Sequence, residues 1–155
     1  MQAPARIQPR GLADYLEVMS KAVFQSGISW RVVETKWPGI REAMCRFDPT
    51  AIAGFTPADL DALTNDRRVI RNRRKLEAIV ANAREIVDLD RRHGGFHQYL
   101  RSHGGFEETV ADLRRHFGFL GETGAYYFLW VVGEEVPSYE DWCASRGRTP
   151  RAVHA

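Results

Sequence analysis

Leu76, Ile79, Val80, Ala83, Ile86 and Val87 recur at intervals of three and four residues, and this spacing constrains the chain more than any other feature. It lays an apolar stripe along one side of an α-helix and does not suit a strand, whose side chains change face at every residue. A long helix through Asp90 is therefore predicted, with Lys75, Glu77, Arg84 and Glu85 on its other side. Leu12, Tyr15, Leu16, Met19, Ala22 and Val23 repeat the pattern and predict a helix over about residues 12–24, interrupted near Gly27. Helical character resumes from Trp30 to Lys36. Pro38 is then expected in the first turn of a further helix running to Phe47, because proline is tolerated there and not deeper in a helix.

The remaining signals are also helical. Asp48-Pro49 ends one element, and Thr56-Pro57-Ala58-Asp59 offers an N-cap, a proline at the first helical position and an acid at the third. A short helix to about Leu63 follows. The tetrapeptide HGGF occurs at His93–Phe96 and again at His103–Phe106, where paired glycines stop one helix and let the next start at a new angle. His93 and His103 have no acid or cysteine in the sequence pattern to complete a metal set. A helix over roughly 107–117 leads to Gly118-Phe119-Leu120-Gly121, then to the apolar run 126–132, and Ser138 caps a short terminal helix. The fold class is all-α: one domain of about eight short helices over 11–146, with a flexible leader at 1–10 and a flexible basic tail at 147–155.

At 155 residues the chain can bury a core of its own. Cys45 and Cys143 are the only cysteines, which argues against a disulfide framework and makes a reducing cytoplasm the expected compartment. Cys45 falls in an apolar-periodic stretch and is expected in the core. No apolar run has the length of a membrane span, and the first residues have no signal-peptide core. Net charge is only +2, yet six of the nine residues from Arg67 to Lys75 are basic, and Arg146, Arg148 and Arg151 form a second cluster. Such runs are either solvated surface or an electrostatic footprint for nucleic acid.

Helix–Gly-h-h-Gly–helix, where h is hydrophobic, is the sequence form of a helix-hairpin-helix. Its tight turn leaves backbone N–H groups unpaired at the start of the second helix, where the helix dipole also favours an anion. Gly118, Phe119, Leu120, Gly121, Glu122 and Thr123 are thus candidates to hold a DNA phosphate without reading a base.

Three further stretches resemble the DNA-3-methyladenine glycosylase I family. Phe24-Gln25-Ser26-Gly27-Ile28-Ser29-Trp30 is similar to its QxGLSW element. IRNRRKLEAIVANAR, within residues 66–84, is similar to its IIRxRxKIxAxxxNAR segment, and FDPTAIAGFTPADLDAL lies between the two in the expected order. With Gly118–Ala125 at the hairpin position, the resemblance covers about residues 12–133.

The resemblance implies an alkylpurine DNA glycosylase of base excision repair, acting on double-stranded DNA that contains an alkylated base. Such an enzyme flips the nucleotide into a pocket. Trp30 would stack on the cationic base, and Gln25, Ser26, Gly27 and Ile28 would enter the gap it leaves, Ile28 serving either as an apolar wedge or as plain core. Arg71 and Arg73 would contact phosphates, or pair with Asp66 or Glu77. The family carries a base-contacting glutamate eight residues before the tryptophan, where this chain has Ala22. Glu34, one turn beyond Trp30, is the candidate to replace it, and Glu17 is the other acid nearby. The family also binds structural zinc through its two ends. Here the chain starts too late for the first half, and GEEVPSYEDWCASRG lacks the His–Cys pair, so a zinc-free, cofactor-free monomer is expected. With no lysine at an obvious Schiff-base position, the expected reaction is hydrolysis without strand nicking. Ala22 keeps a non-catalytic DNA-binding or damage-sensing role open, and a helical adaptor that ignores DNA is a third reading.

Overall fold

The stripe at residues 76–87 lies on α5 (Arg73–His93), against which four other helices pack. The computed structural model describes residues 4–147, among which there are nine α-helices and no strand. Before α5 come α1 (Leu12–Gln25), α2 (Trp30–Ala43), a single tight turn at Cys45–Phe47, α3 (Pro49–Ala53) and α4 (Pro57–Thr64). After it come α6 (Phe96–Leu100), α7 (Phe106–His116), α8 (Glu122–Val131) and α9 (Tyr139–Ser145). α5 packs on α1, α3, α4 and α6, while α1 also packs on α8 and α2, and α7 on α8. Leu76, Ile79, Ala83 and Ile86 are fully buried, and each large side chain among them contributes about 1.5–3 kcal/mol of burial free energy. No helix among the described residues is long and apolar enough to cross a membrane.

Several boundaries follow directly from local chemistry. Thr56 Oγ1 accepts from the Asp59 N–H while Asp59 accepts from the Thr56 N–H, a complete capping box. Asn72 caps α5 by accepting the Lys75 N–H at 3.1 Å. Gly94, at φ +72°, ends α5 in the left-handed conformation that glycine adopts without strain.

Other boundaries differ from expectation. α2 is continuous from Trp30 to Ala43 with Pro38 in its interior, in place of two segments. Pro38 has no N–H to offer the Glu34 carbonyl, a loss of about 3 kcal/mol or more. Burial of Val33, Trp37 and Ile40 on the opposite face offsets it. The helix stops short of Phe47 because Cys45, Arg46 and Phe47 all have positive φ, at 54°, 52° and 60°. This turn buries Phe47 completely and stacks it on Trp37 at 5.2 Å between ring centres. Cys45 is consequently exposed and not part of the core. Lys75, expected on the outer side of α5, is buried at 3% exposure.

Residues 4–10, within the expected leader, run along α8. The Ile7 N–H donates to the Val131 carbonyl at 2.7 Å, Arg6 Nε to that of Trp130 at 2.9 Å, and Trp130 Nε1 to that of Pro4 at 2.9 Å. At the other end, Arg146 Nε donates to Glu122 at 2.8 Å, whereas Arg148 and Arg151 lie outside the described residues.

Candidate functional site

The loop between α1 and α2 is shaped by two residue choices. Gly27 adopts φ +74°, and the Ile28 N–H closes the turn on the Gln25 carbonyl at 3.1 Å. Ser26 and Gly27 are exposed, and Gln25 is half-buried with its Nε2 shielded and lacking a protein hydrogen-bond partner. Ile28 is half-buried and packs against the core, so both of its expected roles remain compatible with its position. Beneath the loop, Lys75 Nζ donates to the Phe24 carbonyl at 3.0 Å and to the Ser26 carbonyl.

Trp30 opens α2 and is half-buried, with the Arg31 guanidinium 5.9 Å from its ring centre. Glu34 and Trp37 follow at i+4 and i+7, which continues the same face of the helix. Glu34 and Trp37 line a cavity of about 920 Å³, together with Glu17, Lys21 and Tyr127; Trp30 is not among its lining residues. Lys21 Nζ lies 2.5 Å from Glu34 Oε1 and 5.4 Å from the Trp37 ring centre. Glu17 accepts from Trp37 Nε1 at 2.9 Å and sits 3.7 Å from Arg41. The Tyr127 hydroxyl is pushed up to about pKa 12 by burial first and by the Glu34 charge second. The cavity thus brings a carboxylate, an ammonium and a protonated phenol together within a lining of mixed polar and apolar residues. Ala22 is 7% exposed and lies against α8, where a Cβ built on Gly124 would come within 3.7 Å of its Cβ.

The hairpin between α7 and α8 is clasped from α5. Asn82, at 2% exposure, accepts the Gly118 N–H at 2.9 Å and donates Nδ2 to the Gly118 carbonyl at 3.3 Å. A Cβ on Gly118 would lie 3.3 Å from Ala78 Cβ, which is why the backbone can approach this closely. Leu120 is buried, while Phe119 is 41% exposed at φ +56°. Gly121 caps α8 without a side-chain hydrogen bond, and the first-turn N–H groups of a helix have no intrahelical acceptor. Glu122 carries a charge of the wrong sign for a phosphate; Arg146 at 2.8 Å and Arg114 at 3.3 Å balance it. Arg71 is exposed. Arg73 pairs with Asp61, and Arg68, not Arg71 or Arg73, takes Asp66.

Asn82→Ala is expected to lower stability by about 2 kcal/mol, because it leaves both Gly118 main-chain groups without their partner. Thermal unfolding measures this, and amide hydrogen exchange at residues 118–121 should accelerate in the variant.

Sequence reasoning missed Lys75, Asn82, Lys21 and Tyr127. Only the first two carry a signal: residues 75, 78 and 82 form an i, i+3, i+7 series beside the apolar stripe. Cys143 is buried against Tyr126 and Trp142, and no group of three or more His, Cys, Asp or Glu among the described residues is placed to hold a metal ion.

The methyladenine glycosylase family model matches residues 11–116 of this all-helical domain. The chain belongs to the methyladenine glycosylase family. It is 35% identical over 130 residues to the DNA-3-methyladenine glycosylase of Haemophilus influenzae, covering 70% of each chain. It is 25% identical over 147 residues to DNA-3-methyladenine glycosylase 1 of Escherichia coli, covering 81% of this chain and 79% of that one. The structure of 3-methyladenine DNA glycosylase I from Staphylococcus aureus superposes with a TM-score of 0.71, covering 82% of this chain and 79% of that one; at 22% identity this likeness shows the shared fold.

Proposed function

We propose that the protein is a monofunctional DNA glycosylase of base excision repair. It flips an alkylated purine of the 3-methyladenine type out of duplex DNA and hydrolyses its N-glycosidic bond. The observation that carries this reading is the family match across residues 11–116, which spans the α1–α2 loop, Trp30, Glu34 and α5. The geometry supports it in detail. Gln25–Ile28 fill the gap in the duplex, with Ser26 and Gly27 exposed at the tip of the loop. Trp30 stacks on the extruded base, whose positive charge favours an electron-rich ring.

Glu34 takes the electrostatic role that Ala22 cannot perform. Its carboxylate, held by Lys21, faces the same cavity as the Tyr127 hydroxyl, and a fixed negative charge favours the oxocarbenium-like state formed as the bond breaks. A cationic purine is already a good leaving group, so capture and orientation supply most of what the reaction needs. The α8 N-terminus and Gly118–Thr123 hold a phosphate, with Arg71 as a second backbone contact; Arg73 is committed to Asp61. The protein acts as a monomer, without zinc or another cofactor, and its two free cysteines fit a reducing cytoplasm.

The test is base release from alkylated duplex DNA at low salt, with wild type and Trp30→Ala side by side. Release of an alkylpurine without strand nicking is expected, with a fall of about a hundredfold or more in the variant once the stacked base is no longer positioned. A damage-sensing role is favoured by Ala22 alone; DNA binding without release from any alkylated substrate would establish it instead.

A further inference from the structure

We propose that Lys75 is a positioning residue: its ammonium, bonded to the carbonyls of Phe24 and Ser26, sets the aim of the loop that enters the duplex. This rests on the glycosylase reading above. The two carbonyls flank Gln25, so a single cation grips the chain on both sides of the residue whose buried Nε2 has no protein partner. Lys75 is itself fixed, because its N–H is taken by the Asn72 cap in the first turn of α5. Fastening the loop here also sets its distance from the hairpin. Lys75, Ala78 and Asn82 follow one face of α5, and Asn82 holds Gly118. Seven residues at 1.5 Å each place the loop and the hairpin anchors about 10 Å apart along one rigid helix.

Stability alone does not call for a lysine here. A buried ammonium is costly, and an apolar side chain of similar length usually fills such a place at no loss of stability. Burial lowers the Lys75 pKa, with no carboxylate contributing to the shift. The charge is spent on two backbone carbonyls of the α1–α2 loop, and what those bonds determine is the direction of Gln25 and the turn at Gly27.

The experiment compares wild type, Lys75→Met and Lys75→Arg by single-turnover base release from alkylated duplex DNA, by binding of free 3-methyladenine, and by thermal unfolding. Lys75→Met is expected to lose about tenfold or more in release rate, since small misplacements carry costs of that order. Its affinity for the free base, which needs the pocket and not the loop, should stay within about twofold of wild type. A merely structural lysine would lower Tm and shift both readouts together, or neither. If Lys75→Met does not fold, Lys75→Arg decides. It keeps the charge but has a longer and wider head, and should show the same split. A folded variant releasing base at the wild-type rate overturns the proposal. If wild type itself releases no base, the glycosylase reading fails, and the positioning role is judged on duplex DNA with an abasic gap. There Lys75→Met should bind about tenfold more weakly if the loop enters the gap, and equal binding overturns the role.

Discussion

Asp112→Ala should unfold at a temperature about 6–12 °C lower than wild type, corresponding to a loss of about 3 kcal/mol. Asp112 on α7 joins Tyr99 of α6, His103 of the loop that follows it, and Arg115 one turn along its own helix. Tyr99 Oη donates to it at 2.8 Å, His103 Nε2 lies 2.9 Å away, and Arg115 pairs with it from the outer side. His116 stands at 3.5 Å and also reaches Glu85 on α5 at 3.4 Å. Removing the carboxylate leaves a 1%-exposed tyrosine hydroxyl and a largely buried imidazole without their acceptor, and each orphaned group costs its own desolvation.

The same network makes a prediction for pH. Burial on its own would raise the Asp112 carboxyl; the bonds from Arg115, His103 and Tyr99 outweigh it and hold the group well below the usual carboxylate range. A group whose folded-state pKa lies under its unfolded one stabilises fully above the unfolded value. That stability is lost as pH falls below about 4, through the unfolded and then the folded pKa. Urea unfolding across pH 3–7 should therefore show a steeper acid decline in wild type than in Asp112→Asn, which has no charge to lose. Parallel curves would mean that the carboxylate is not held by its neighbours in solution.

What the sequence showed of this fold depended on how local the cause was. The apolar stripe on α5, the Thr56–Asp59 box and the glycine stops all act within one or two helical turns, and each lies where its chemistry puts it. Pro38 misled because the penalty for an interior proline is local while its offset, the buried face of Val33, Trp37 and Ile40, is tertiary. Cys45 misled because three left-handed residues in a row are strained locally, and the burial of Phe47, the third of them, offsets that strain through tertiary packing. For the candidate site, the loop, Trp30 and the hairpin could be picked out as segments, but not what fastens them. Lys75 is a charged residue whose acceptors are carbonyls 51 and 49 positions away, and no pattern of side chains announces a carbonyl. Tyr127 sits in an apolar run that reads as core, and only the tertiary fold brings it to a cavity that Glu34 also lines.

Ala22→Glu restores the side chain that the family resemblance calls for, and it should destabilise the protein by about 3 kcal/mol without improving base release. Ala22 is nearly closed off between α1 and α8, its Cβ directed at the glycine that opens the middle of α8's first turns. A glutamate there brings two methylenes and a carboxylate into a contact that has no cavity for them, and overpacking alone costs about 1–3 kcal/mol. Lys21, its neighbour in sequence, is already committed to Glu34 at 2.5 Å. A new carboxylate that reached it would draw it away from Glu34 and add a second negative charge to the same space. The comparison is Glu34→Gln, which leaves the helix packing intact and is expected to reduce release of a cationic base by about tenfold or more if fixed negative charge is what the site contributes. Measuring Tm and base release for both variants separates two arrangements of one chemistry. A destabilised, unimproved Ala22→Glu with an impaired Glu34→Gln means that the acid has moved from α1 to α2 in this chain. A stable Ala22→Glu with faster release would mean that α1 still opens onto the base and that Glu34 is only Lys21's counter-ion.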